Sequence, residues 1–224
     1  MKLYFNCIVT LMWKDILLEI RTKENITPII IFAALVLLIF NFALDPTPAL
    51  IGSVAPGILW TAITFAGVLG MSRTFILEKD NGSLEGIMIC PVSREVIYFG
   101  KMLASLSFML LIEVLIFPIF GILFNLPILL PSVILIAFLT TLGFAAIGTI
   151  FSAISVHTRA REIMLPILFF PIVVPIILAA VESTYLAIQF DSWDSIITWI
   201  QLIAVFDVIF IVVAAFLFQF ALEE

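Results

Sequence analysis

RTFILEKDNGSLEGIMICPVSREVIYFGK, Arg73 to Lys101, is the longest charged stretch in the chain. It holds four of the ten basic residues (Arg73, Lys79, Arg94, Lys101) and four acids (Glu78, Asp80, Glu85, Glu95). Long charge-free segments flank it on both sides, so residues 73–101 read as a polar connection between two membrane spans. Within it lies a short helix candidate. Asp80, Asn81 and Ser83 offer N-cap oxygens, and Glu85 suits the positive end of a helix dipole. Leu84, Ile87 and Met88 share one face at i, i+3, i+4 spacing. Pro91 ends the helix, because the residue before a proline avoids the α region. A short amphipathic helix between two spans has the shape needed to dock into a soluble partner. The competing reading is an ordinary helix lying on the membrane surface.

Composition makes lipid the main solvent. Of 224 residues, 64% are hydrophobic and 12% charged, and the mean hydropathy is +1.31. A soluble domain carries about 25% charged residues. An all-α integral membrane protein is expected, and no nucleic-acid partner. The two cysteines, Cys7 and Cys90, fall in segments placed on the cytoplasmic side, where a disulfide is not the default. One histidine, His157, and the lack of CxxC or CxxCH argue against a zinc site, c-type haem attachment or bis-histidine ligation. No catalytic residue, metal site or firmly bound cofactor is expected. The N-terminus does not read as a cleavable signal peptide.

The chain in order gives one domain, 1–224. Residues 4–23 form an amphipathic helix with Val9, Met12, Trp13, Ile16, Leu17 and Ile20 on one face. Lys14, Asp15, Glu19 and Arg21 lie largely off that face, so the helix is expected in the membrane interface. Spans are expected at about 26–44, 51–71, 102–125, 132–155, 163–181 and 195–220, each near the 20 apolar residues a crossing needs. Gly143, Ala145, Ala146 and Gly148 in the fourth span allow close helix contact. Pro166, Pro171 and Pro175 predict a kinked or broken fifth span.

The basic residues test this layout. All ten fall before span one, between spans two and three, or between spans four and five. The opposite side carries Asp45, Glu182, Asp191 and Asp194 but no Lys or Arg. The positive-inside rule then places both termini in the cytoplasm of a multi-pass inner-membrane protein.

NGSLEGIMICPVSREVIYFGK (Asn81 to Lys101) resembles the loop of ABC-2-type permeases. ALDPTPALIGSVAPGILW (Ala43 to Trp60) is more specific. Its short proline loop followed by Ala55, Pro56, Gly57, Leu59 and Trp60 is similar to the haem exporter protein B (CcmB) family of the cytochrome c maturation system. LPILFFPIVVPIILAAVEST (Leu165 to Thr184) resembles that family's fifth span. The resemblance covers roughly residues 10–215. It implies a permease subunit paired with a cytosolic ABC ATPase, a haem-handling membrane subunit, a periplasmic haem chaperone and a second permease copy. Haem is implied as cargo, and ATP through the partner, since the chain carries no GxxxxGK[ST]. On this view Ser83, Leu84, Glu85, Ile87, Met88 and Pro91 are the ATPase-coupling residues. Members of the family often carry His-Trp after the lysine that opens the third span. Here Lys101 is followed by Met102, Leu103, Ala104 and Ser105, so no haem ligand is implied there. A permease for lipid or drug export and a non-transporting membrane scaffold stay open as alternatives.

Glu113 and Asp207 fall at membrane depth with no Lys or Arg in reach along the spans. A charge there costs of order 3 kcal/mol on insertion scales. They read either as a polar patch facing a dimer interface or water-filled cavity, or as hydrogen-bonded acids holding helices together. His157, beside Arg159, reads as a loop histidine rather than a haem ligand.

Overall fold

The computed structural model describes residues 2–22, 26–43, 48–80, 82–83, 86, 89, 92–156, 158, 161–190 and 193–221. Seven long helices account for nearly all of them: α1 Lys2–Thr22, α2 Ile26–Ala43, α3 Pro48–Asp80, α4 Arg94–Phe124, α5 Pro131–Ser155, α6 Arg161–Phe190 and α7 Trp193–Ala221. Six of these, α2 to α7, are long and apolar enough to cross a membrane. The protein is a multi-pass, all-α membrane protein. The amphipathic α1 is not among the spans.

Burial follows side-chain size. α3 and α5 are the most enclosed spans. α5 presents Gly143, Ala145, Ala146, Gly148 and Ala153 to its neighbours, and all are buried. Without a hydrophobic drive between helices in lipid, close backbone approach supplies the packing contacts, and small residues permit it. Large side chains on the outer spans point away instead. Ile122 is 81% exposed and Val114 71%, which suits a surface bathed in acyl chains. Hydrogen bonds cross the same interfaces. The Tyr98 hydroxyl donates to the Ala146 carbonyl at 3.1 Å, Ser152 Oγ to the Met71 carbonyl at 2.8 Å, and Asn41 Nδ2 to the Leu123 carbonyl at 2.7 Å.

Several boundaries differ from the sequence reading. The polar stretch 73–101 is mostly helix: α3 continues to Asp80 and α4 begins at Arg94. Charge ends a hydropathy run, but it does not end a helix once the chain has left the hydrocarbon layer. Gly82 does that, with φ at +66° and its N–H on the Lys79 carbonyl at 3.0 Å. Glycine adopts this left-handed turn without steric cost. The fifth span is unbroken. α6 runs from Arg161 to Phe190 through all three prolines, because packing in a bundle can satisfy what each proline frees. The segment 182–194, expected as a polar outer loop, is helical to Phe190, and α7 starts at Trp193.

Candidate functional site

Four charged side chains meet where α1 packs against the C-terminal end of α3 and the N-terminal end of α4. Lys101 is fully buried, and its Nζ lies 2.9 Å from Asp15 Oδ2 and 2.5 Å from Glu78 Oε1. Lys14 Nζ lies 3.0 Å from Asp15 Oδ1 and donates to Glu78 Oε1. The Phe75 ring sits below the Lys101 ammonium, 5.3 Å from centroid to nitrogen, within cation–π range. Burial alone would lower the Lys14 pKa from 10.5, but the Asp15 and Glu78 carboxylates outweigh it and raise it. A raised lysine pKa means its pairing energy is fully present below pH 10.5 and is lost only as the pH climbs above that value.

The seat of α1 is shaped for this cluster. Gly100 has no side chain, so Leu11 Cβ and the Ile8 carbonyl come within 2.9 and 3.4 Å of where a Cβ would stand. That approach brings Lys14 and Asp15, one turn further on, against Glu78 and Lys101. The sequence places Lys14 and Asp15 largely off the apolar face of α1; the structure sets both against Glu78 and Lys101. The signal available was Lys101 itself. It lies in a run with Ile97, Tyr98, Met102, Ala104 and Ser105, all buried, and a lysine on such a stripe requires partners.

A cavity of about 350 Å³ opens beside the cluster, lined by Lys14, Asp15, Glu78 and Ser83 at one end and Gly70, Phe108 and Leu111 at the other. Of the predicted coupling residues, Ser83 is exposed, and its hydroxyl donates to the Glu78 carbonyl at 3.2 Å. Leu84, Glu85, Ile87, Met88 and Pro91 lie outside the described residues, as do His157 and Arg159. Lys79 donates to the Val156 carbonyl at 2.9 Å, which fixes the end of α3 to the C-terminal end of α5, where a cation is favoured.

The two acids at depth differ. Glu113 is buried on α4 and accepts a hydrogen bond from Thr141 of α5, so it links two helices. Asp207 is buried on α7, and neither of its oxygens has a hydrogen-bond partner among the described residues. It rests on the bare backbone of Gly143, beside Ile176 of α6. The structure does not pair Glu113 with Asp207.

At the far end of α3, the residues of the motif that follow the proline loop are packed inward. Ala55, Leu59 and Trp60 are fully buried, and Trp60 Nε1 donates to Thr184 Oγ1 of α6 at 3.0 Å. Trp60→Phe keeps most of the apolar contact and strands the Thr184 hydroxyl. It is expected to lower stability by about 1 kcal/mol, read as a lower thermal unfolding midpoint in detergent. An unchanged midpoint would show that the Thr184 oxygen finds another donor.

A family model described as "CcmB protein" matches residues 6–224. A protein named heme exporter protein B from Pseudomonas aeruginosa is 24% identical over 185 residues, 82% of this chain and 83% of that one. Proteins of the same name from Rhodobacter capsulatus (29% over 175 residues, 77% and 79% of the two chains) and Haemophilus influenzae (27% over 168 residues, 75% and 76%) are similar over much the same extent.

Proposed function

The chain belongs to the CcmB protein family, and on that premise we propose that it is the permease subunit of a haem-export system serving cytochrome c maturation. A separate cytosolic ABC ATPase supplies the energy. The ATP-driven step is haem export or release of the haem-loaded periplasmic chaperone, with a haem-handling membrane subunit and a second permease copy in the same complex. The distribution of basic residues supports an inner-membrane protein with both termini in the cytoplasm. The chain itself takes no catalytic role.

One observation carries the coupling part of this reading. The Lys14–Asp15–Glu78–Lys101 cluster joins α1, α3 and α4 at the root of segment 81–93. A push on that segment reaches three helices as one body, because separating any of them would leave a buried charge without its partner. The ATPase seats on residues 81–90, with Leu84, Ile87 and Met88 as the apolar contact and Ser83, Glu85 and Pro91 shaping its ends.

Leu84→Asp tests it. The substitution lies outside the spans, so the protein is expected to insert at normal level. It is expected to lose the ATPase on co-purification and to lose cytochrome c maturation with it, since each buried apolar contact in such a groove contributes about 1.5–3 kcal/mol. Retention of the ATPase at wild-type stoichiometry would remove segment 81–90 from the coupling path.

A further inference from the structure

We propose that the cavity between α1 and the α3–α4 pair is a binding site for one glycerophospholipid whose headgroup carries a primary ammonium. The cavity straddles the edge of the hydrocarbon layer. The apolar window of α3 ends at Ser72. Gly70 lies just inside that limit and Glu78 beyond it, a separation of about 12 Å along the helix axis. Phe108 and Leu111 line the apolar end; Lys14, Asp15, Glu78 and Ser83 line the other. An amphipathic molecule matches this division, with its acyl chains among the aromatic and aliphatic side chains and its headgroup at the ions.

The charges select the headgroup. Lys14 and Lys101 pair with Asp15 and Glu78, and Glu19 also lines the cavity. Glu19 Oε1 accepts the Ile26 N–H at 3.0 Å. Glu78 is 8% exposed, and its Oε2 has no hydrogen-bond partner among the described residues. A buried carboxylate oxygen requires a donor. A primary ammonium supplies N–H donors; a choline, fully methylated, supplies none. Lys14 has three donors, of which the carboxylates of Asp15 and Glu78 engage two. The third is available to the lipid phosphate, on a side chain that is 41% exposed.

The test uses the full-length chain, stripped of lipid by detergent exchange and offered phosphatidylethanolamine, phosphatidylcholine and phosphatidylglycerol with matched acyl chains. Native mass spectrometry is expected to show one phosphatidylethanolamine per chain, retained about tenfold more strongly than phosphatidylcholine, the gain of one charge-assisted hydrogen bond. Glu78→Gln replaces an acceptor with a donor and is expected to bring the two lipids to parity. Because Glu78 also belongs to the ion cluster, Ser107→Phe provides an independent variant. Ser107 lines the cavity, its hydroxyl bonds among the described residues to the Leu103 carbonyl of its own helix, and a ring there fills the cavity. It is expected to abolish retention of all three lipids. Equal retention of choline and ethanolamine lipids by the wild-type chain would overturn the proposal. So would Ser107→Phe binding as the wild type does. Displacement of the lipid by millimolar phosphoethanolamine would assign the site to a soluble ligand and overturn it as well.

Discussion

Replacing Lys101 with alanine is expected to destabilise the folded chain by about 3–5 kcal/mol, the cost of removing one member of a buried ion group. Asp15 and Glu78 would then face each other with only Lys14 between them, on a side chain that reaches toward solvent. α1 has Gly100 and the ion cluster as its principal anchor points on α4, so it is expected to lift from its seat. The measurement is unfolding in mixed micelles, with hydrogen exchange of the α1 amides reporting α1 separately from the spans. A loss under about 1 kcal/mol would mean the group behaves as a solvated surface pair. A second variant separates charge from shape. Neutralising the group as a whole, with Lys14→Met, Asp15→Asn, Glu78→Gln and Lys101→Met together, is expected to recover much of the loss, because no charge is left stranded.

The second large effect concerns the contact between α5 and α7. A Cβ on Gly143 would collide with Asp207 Oδ1 and lie 2.9 Å from Ile176 Cδ1. Gly143→Val is therefore expected to cost about 3 kcal/mol or more, at the upper end of overpacking substitutions. Gly143→Ala is milder and allows a cycle with Asp207→Ala. The carboxyl of Asp207 has no partner among the described residues, so removing it alone is expected to leave stability unchanged or raise it. In the double variant the new methyl occupies the space the carboxyl has left. The two changes are then expected to couple by about 1–3 kcal/mol. Additivity within about 0.5 kcal/mol would show that α7 shifts away from α5 instead. If Asp207→Ala also lowers cytochrome c maturation at normal protein level, its unsatisfied carboxyl serves the transport step rather than packing.

How far the sequence could be read depended on the range of the signal. Apolar runs of about 20 residues are local, and the six spans were legible from them. So was the inward packing role of small residues on α5, though nothing along the chain named Asp207 as the group against Gly143. The ion cluster was not legible, because Asp15, Glu78 and Lys101 lie on three elements and helical-wheel reasoning assigns charges to water. The extent of α3 and α4 was hidden for a related reason. Hydropathy marks where a helix leaves lipid, not where it stops, and Glu78 and Lys79 continue the helix in polar surroundings. The prolines of α6 signalled a kink or a break, and of the two the continuous helix excludes the break. Trp60 was legible as part of a motif, but its partner Thr184, 124 residues away, was not.

The order in which the chain is made gives the α1 contact a further meaning. Asp15 leaves the ribosome long before Lys101, and at 5–20 residues per second the interval is roughly 4–17 s. Through that time α1 has no counter-ion on α4 and no Gly100 to receive Leu11. It must wait at the membrane surface while the first two spans enter and the third is begun. The arrival of Lys101 then closes the N-terminal half in a single late event. A nascent chain that lacks residue 101 has α1 free of α4, while one in which Lys101 has reached the membrane can hold α1, α3 and α4 locked. The buried lysine thus acts as a timer as well as an anchor, marking the point in synthesis at which this half of the protein stops being a set of separate helices.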